Sequence, residues 1–192
     1  MTDEERFNDD VEHAVATLRE GGLILYPTDT VWGIGADATN AEAVAKIYRL
    51  KQREDSKSML ALVDSLDSLH KWISRVPPEA LRLIEESERP MTVIYDSPEG
   101  VAQNLRAADG SLGIRVTSEA YSRELCRRLG RPVVSTSANI SGQPAPALFR
   151  EIASGIIEGV DYTATFRRDD ETRRAPSGIV KVTDDGRVTI IR

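Results

Sequence analysis

Four consecutive apolar residues, Leu23-Ile24-Leu25-Tyr26, run without polar alternation and stop at Pro27. A strand with one wet face would alternate, so this run reads as a strand buried on both faces, in a sheet that must be covered on both sides. Helical covering is available in the sequence. Val11, Ala14, Val15 and Leu18 recur at helical spacing and Gly21-Gly22 follow as a stop, which predicts a helix over about residues 4–20. A second helix begins near residue 40, with Thr39 and Glu42 spaced as a capping box and Val44, Ile47 and Tyr48 along one face. It delivers Lys51-Gln52-Arg53 at its C-terminal end.

Further strands are expected at residues 59–63, 91–95, 112–116 and 132–135, with helices between them at 66–73, 78–86 and 119–129. A helix near 147–157 and a short strand at 162–166 come next. Asp184-Asp185-Gly186 then joins residues 178–182 to 187–191 with hairpin-turn chemistry. Strands joined by a tight turn are antiparallel, so the sheet is expected to be mixed. The fold class is α+β, a mixed α/β layered sheet with helices packed on it. A chain of 192 residues can bury roughly 70% of its unfolded surface, and with no linker or repeat it reads as a single domain over residues 1–192.

Charge and composition narrow the functions. The net charge of -6 disfavours an extended nucleic-acid surface, which needs many cations on one face, although a local basic pocket remains compatible with it. The single cysteine, Cys126, cannot form an internal disulfide and has no histidine base beside it. The start MTDEERFNDDVEH is acidic where a targeting leader would be basic, and no apolar run approaches the ~20 residues of a membrane span. A cytoplasmic protein without membrane contact is expected. His13 and His70 lie far from the hydroxyl-rich loops, which disfavours a Ser-His-Asp hydrolase, and no metal-ligand cluster is visible.

Two polar loops follow apolar strands: Pro27-Thr28-Asp29-Thr30, and Ser135-Thr136-Ser137-Ala138-Asn139 continuing to Gly142. One such loop is an ordinary turn; two at corresponding strand ends suggest a ligand site. Lys51 and Arg53 can serve one anion only if the helix ends near Leu50, because residues two apart on a helix diverge. Arg115 is the only charged residue of its apolar strand, which suggests that it points into a cavity and pairs an anionic group. Gly33-Ile34-Gly35-Ala36-Asp37-Ala38 formally fits a dinucleotide fingerprint, yet it joins no strand directly to a helix. Its glycines read as sites of close backbone approach or a tight bend. Arg167-Arg168 and Arg173-Arg174 bracket acidic residues as a solvated loop would, from which an arginine could close over a phosphate.

In order, LYPTDTVWGIGADATN, IYRLKQR, GIRV, VVSTSANISGQPAP and PSGIVKV resemble the YrdC-like domain of threonylcarbamoyl-AMP synthases, from about Gly22 to the end of the chain. The resemblance implies a three-layer fold with a deep, positively lined cavity, and a nucleotidyltransferase reaction. Its substrates would be L-threonine, bicarbonate or carbon dioxide, and ATP with Mg2+; the adenylate would pass to downstream tRNA-modification proteins, a weak tRNA contact being compatible. It implies Lys51 and Arg53 as catalytic residues at the triphosphate, with Thr28 by the threonine and Thr30 in the substrate- or nucleotide-binding set. Thr92 and Ser135 join the substrate-binding set, with Arg115 by an anionic group, Ser137 and Asn139 by the nucleotide, and Ser177 by the α-phosphate. No protein metal ligands are implied.

The sequence departs from the family at Trp32, Glu54, Ser58, Glu88-Arg89-Pro90, Gly178 and Lys181. A non-catalytic RNA- or nucleotide-binding module of the same fold is the alternative.

Overall fold

A computed structural model describes residues 2–53 and 59–192. Glu54 and Ser58 lie outside the described residues. The first helix, α1 (Asp3–Arg19), is held at its start by a capping box in which Thr2 Oγ1 accepts from Glu5 N–H at 3.1 Å and Glu5 Oε2 accepts from Thr2 N–H at 2.6 Å. Its buried stripe is Asp10, Val11, Ala14, Val15 and Leu18, the expected apolar face with one carboxylate inside it.

The strands are β1 (Ile24–Tyr26), β2 (Gly33–Gly35), β3 (Leu60–Val63), β4 (Met91–Tyr95), β5 (Leu112–Val116), β6 (Val133–Ser137), β7 (Tyr162–Thr163), β8 (Gly178–Val182) and β9 (Val188–Ile190). They form one sheet in the order β7-β1-β2-β6-β3-β5-β4-β8-β9. Pairing is parallel for β1–β7, β3–β5 and β4–β8 and antiparallel elsewhere, so the sheet is mixed as the closing hairpin requires. The helices are α2 (Ala41–Lys51), α3 (Leu66–Leu69), α4 (Pro78–Glu86), α5 (Ala120–Leu129) and α6 (Ser154–Glu158), with 3-10 turns at Gln103–Leu105 and Phe149–Glu151. Helices α1 and α5 pack on each other, α1 against β1 and β7 and α5 against β3. Cys126 is buried on α5 with its thiol pushed up by desolvation, an inert core residue.

Several local expectations change, each for an identifiable reason. Asn40, not Thr39, caps α2, accepting from Glu42 N–H and Ala43 N–H, because Thr39 is engaged by Asp37 Oδ1 at 2.7 Å. The strand expected at 162–166 ends at Thr163, since the Asp10 carboxylate takes the N–H groups of Thr165 and Phe166. The helix expected at 147–157 is a 3-10 turn and one short helix: Glu151 turns back to cap Ala147 and Leu148 N–H. The helix expected at 66–73 covers only α3, a single turn. Strand β6 runs two residues further than expected, because β2 pairs with Thr136 and Ser137.

Gly33 and Gly35 sit in β2 beneath the buried Tyr26 ring; the expected close approach holds and the tight bend does not. A Cβ on Gly35 would stand 2.7 Å from Tyr26 Cε1. Gly35→Ala is therefore expected to lower stability by about 1–3 kcal/mol, the usual cost of overpacking a tight core. A urea denaturation midpoint unchanged from the parent would contradict this packing.

Candidate functional site

Strands β1 and β6 are both antiparallel to β2 and so run in the same direction, with Tyr26 and Ser137 level across Gly33. The two hydroxyl-rich loops therefore leave the same end of the sheet, as ligand loops of parallel strands do. An open cavity of about 360 Å³ lies beside them, lined by Thr30, Arg53, Arg115, Ser135, Ser137 and Ser177 of the residues identified from sequence. Gly33, Leu60, Thr136, Pro176 and Arg192 also contribute. Among the described residues its lining carries three arginines and no carboxylate, so the wall is suited to anions. Its size falls within the ~300–1,000 Å³ range of small-molecule sites.

Thr28, Lys51, Thr92 and Asn139 stand behind this lining rather than in it. Thr28 is 2% exposed; its Oγ1 donates to Val31 O at 2.7 Å and accepts from Thr30 N–H at 3.1 Å, shaping the turn that carries Thr30 to the cavity. Helix α2 ends at Lys51, close to the end expected if Lys51 and Arg53 were to serve one anion. Gln52 turns left-handed (φ 50°), and Gln52 N–H to Arg49 O and Arg53 N–H to Tyr48 O complete a Schellman-type end. Arg53 emerges into the cavity. Lys51 does not: its Nζ donates to Ser137 O at 2.5 Å and Asn139 O at 2.6 Å. Desolvation, then the Arg53 charge, pull its pKa down to about 8.

Arg115 is aimed as expected but is already paired. Its guanidinium donates to Asp29 Oδ1 at 2.8 Å and to Thr92 Oγ1 at 3.3 Å, with both members of the ion pair under 10% exposed. Its Nε is buried without a hydrogen-bond partner. Thr92 Oγ1 in turn meets Ser177 Oγ at 3.0 Å, so the β1 loop, β5, β4 and the segment before β8 share one polar chain. Asp29 borders a second cavity of about 280 Å³, whose wall includes Glu88-Arg89-Pro90.

Asp29 and Arg192 are the site residues that sequence reasoning missed. Arg192 follows β9, lines the cavity and donates through Nε to Ser177 O at 3.2 Å. Its only sequence signal is that it is the cation ending an apolar strand.

The segment between β7 and β8 is tied down by charge pairs. Arg167 donates to Thr28 O and pairs with Glu119 and Asp170, while Arg174 pairs with Asp170, Arg150 with Glu171 and Arg173 with Glu151. Arg167 is thus engaged with the β1 loop, which the reading of this stretch as a solvated loop did not anticipate. Of the departures from the family pattern, Trp32 is buried against Phe149, and Lys181 pairs with Asp96 and Asp109.

Among the described residues, no three or more His, Cys, Asp or Glu side chains gather as a metal cage. No helix among them is long and apolar enough to cross a membrane.

The family model Sua5_yciO_yrdC, described as "Telomere recombination", matches residues 16–192. The chain is 35% identical over 181 residues to a threonylcarbamoyl-AMP synthase of Stenotrophomonas maltophilia, covering 88% of this chain and 96% of that protein. It is 33% identical over 153 residues to the synthase of Chromohalobacter salexigens, covering 79% and 83%. Among solved structures, E. coli YciO superposes with a TM-score of 0.80 at 26% identity, over 95% of this chain and 87% of that one. P. abyssi Sua5 complexed with L-threonine superposes at 0.82 with 23% identity, a likeness of fold, and this chain spans about half (53%) of the Sua5 chain.

The ion pair yields a stability prediction. Arg115→Met leaves Asp29 buried without its counter-charge and is expected to cost about 3–5 kcal/mol. Adding Asp29→Leu is expected to recover part of that loss, because the stranded charge is then gone. Additive losses in a double-mutant cycle would show that the two side chains do not pair.

Proposed function

From the premise that the chain belongs to the Sua5/YciO/YrdC family, we propose that it is an L-threonylcarbamoyladenylate synthase. It makes the adenylate and pyrophosphate from L-threonine, bicarbonate or carbon dioxide, and ATP. The observation that carries the reading is the convergence of Arg53, Arg115 and Arg192 with the hydroxyls of Thr30, Ser135, Ser137 and Ser177 on one cavity at the ends of parallel strands.

The chemistry needs little else. Threonine's amine takes up carbon dioxide to give a carbamate, whose oxygen attacks the α-phosphorus of ATP and breaks its bond to the bridging oxygen of the departing pyrophosphate. Arginines at fixed positions stabilise the negative charge gathering on the phosphates, and hydroxyls orient the two substrates, so rate comes from positioning and electrostatics. In this scheme Arg53 and Arg192 face the triphosphate, Arg115 and Thr30 serve the threonine end, and Thr28, Thr92, Lys51 and Asn139 hold the lining residues in place. Magnesium would enter as the counter-ion of ATP, held mainly by the substrate phosphates. The reaction class is nucleotidyl transfer. The reading implies a cytoplasmic reaction whose product passes to other tRNA-modification proteins.

Pyrophosphate release is expected to require threonine and inorganic carbon together, because nothing attacks ATP until the carbamate exists. Steady-state release measured with each substrate omitted in turn checks this. Robust ATP cleavage without threonine would overturn the synthase reading.

A further inference from the structure

Lys51 and Arg53 come from one tripeptide and end in different surroundings. Lys51 is 1% exposed, and its ammonium lies on the carbonyls of Ser137 and Asn139. Its own carbonyl accepts from Ser141 N–H at 2.8 Å. Three hydrogen bonds thus tie the end of α2 to residues 137, 139 and 141 of the loop after β6. Within that loop, Asn139 N–H donates to Ser137 O, and Asn139 Nδ2 donates to Ile140 O and Gln143 O.

A buried ammonium is stable only where acceptors replace its water, and two carbonyls do so here. The same contacts constrain the loop. They leave the Ser137 side chain on the cavity, with Asn139 held behind it through its side-chain amide. An ammonium that moved away to a phosphate would give up both of these hydrogen bonds and with them its tie to the loop.

We propose that Lys51 is a positioning residue: its ammonium locks residues 137–141 in the conformation that presents Ser137, and Arg53 is the member of the pair that meets the substrate anion. The assignment deepens the synthase reading and rests on it only for the kinetic readout.

Three measurements test it, with Arg53→Gln as the reference. In ligand-free protein, Lys51→Met is expected to speed deuterium exchange across residues 135–143 by about tenfold or more, while Arg53→Gln leaves that segment within about twofold. In pyrophosphate release, Lys51→Met is expected to lower kcat by about tenfold with the dissociation constant for ATP within about threefold, whereas Arg53→Gln weakens ATP binding by about tenfold. Should Lys51→Met fail to fold, acetylation of the unaltered protein replaces it. Lys51 is expected to label far more slowly than exposed Lys71, with or without MgATP. Unchanged loop exchange in a folded Lys51→Met protein, or Lys51 labelling near the rate of Lys71, overturns the proposal. Absent pyrophosphate release in the unaltered protein would instead reject the synthase reading, leaving the exchange and labelling results to stand on their own.

Discussion

Gln52 takes a left-handed backbone conformation, φ 50°, that costs a residue with a Cβ about 1–2 kcal/mol, and the layout of the site follows from it. Without that turn α2 would continue, and Lys51 and Arg53 would point to different sides of one helix. With it, Lys51 closes the helix and lies beneath the loop after β6, while Arg53 swings to the cavity. One short tripeptide supplies both a tie to the loop after β6 and a cation on the cavity. The Schellman-type hydrogen bonds to Arg49 O and Tyr48 O offset the strain.

The cavity gathers positive charge in a chain whose net charge is -6. Local arrangement achieves this: Arg53, Arg115 and Arg192 line the cavity, and Asp29, beside it, is held on Arg115. That pairing has a physical consequence. A carboxylate arriving at Arg115 meets a guanidinium already pinned by Asp29 and Thr92, so little side-chain freedom is lost on binding, though Asp29 also reduces the field that the newcomer feels. The chain from Asp29 through Arg115 and Thr92 to Ser177 joins the loop after β1 to the segment before β8, so the two ends of the sheet order reach the site as one unit.

Much of this was legible in the sequence because it rests on short-range rules. The buried run ending at Pro27, the helical spacing before Gly21 and the Asp184-Asp185-Gly186 turn each specify an element from its own residues. The two-residue spacing of Lys51 and Arg53 pointed to the helix end, but through a shared anion that does not hold, since Lys51 turns to the loop after β6. What stayed hidden depends on distant partners. Strand β2 is three residues of Gly-Ile-Gly whose pairing is set by β1 and β6, and Asp10 ends β7 from more than 150 residues away. Lys51 reads in sequence as a phosphate cation because the carbonyls that hold it lie 86 and 88 residues further on. Arg192 reaches the cavity only because β9 returns beside β8.

The central claim is that the cavity joins threonine, inorganic carbon and ATP in one covalent product. Incubating the protein with threonine, MgATP and carbon-13 bicarbonate, and weighing the product by mass spectrometry, tests it most directly. The expected product is a species containing threonine, AMP and one labelled carbon, in step with released pyrophosphate. Threonyl-AMP without the labelled carbon, or AMP alone, would contradict it.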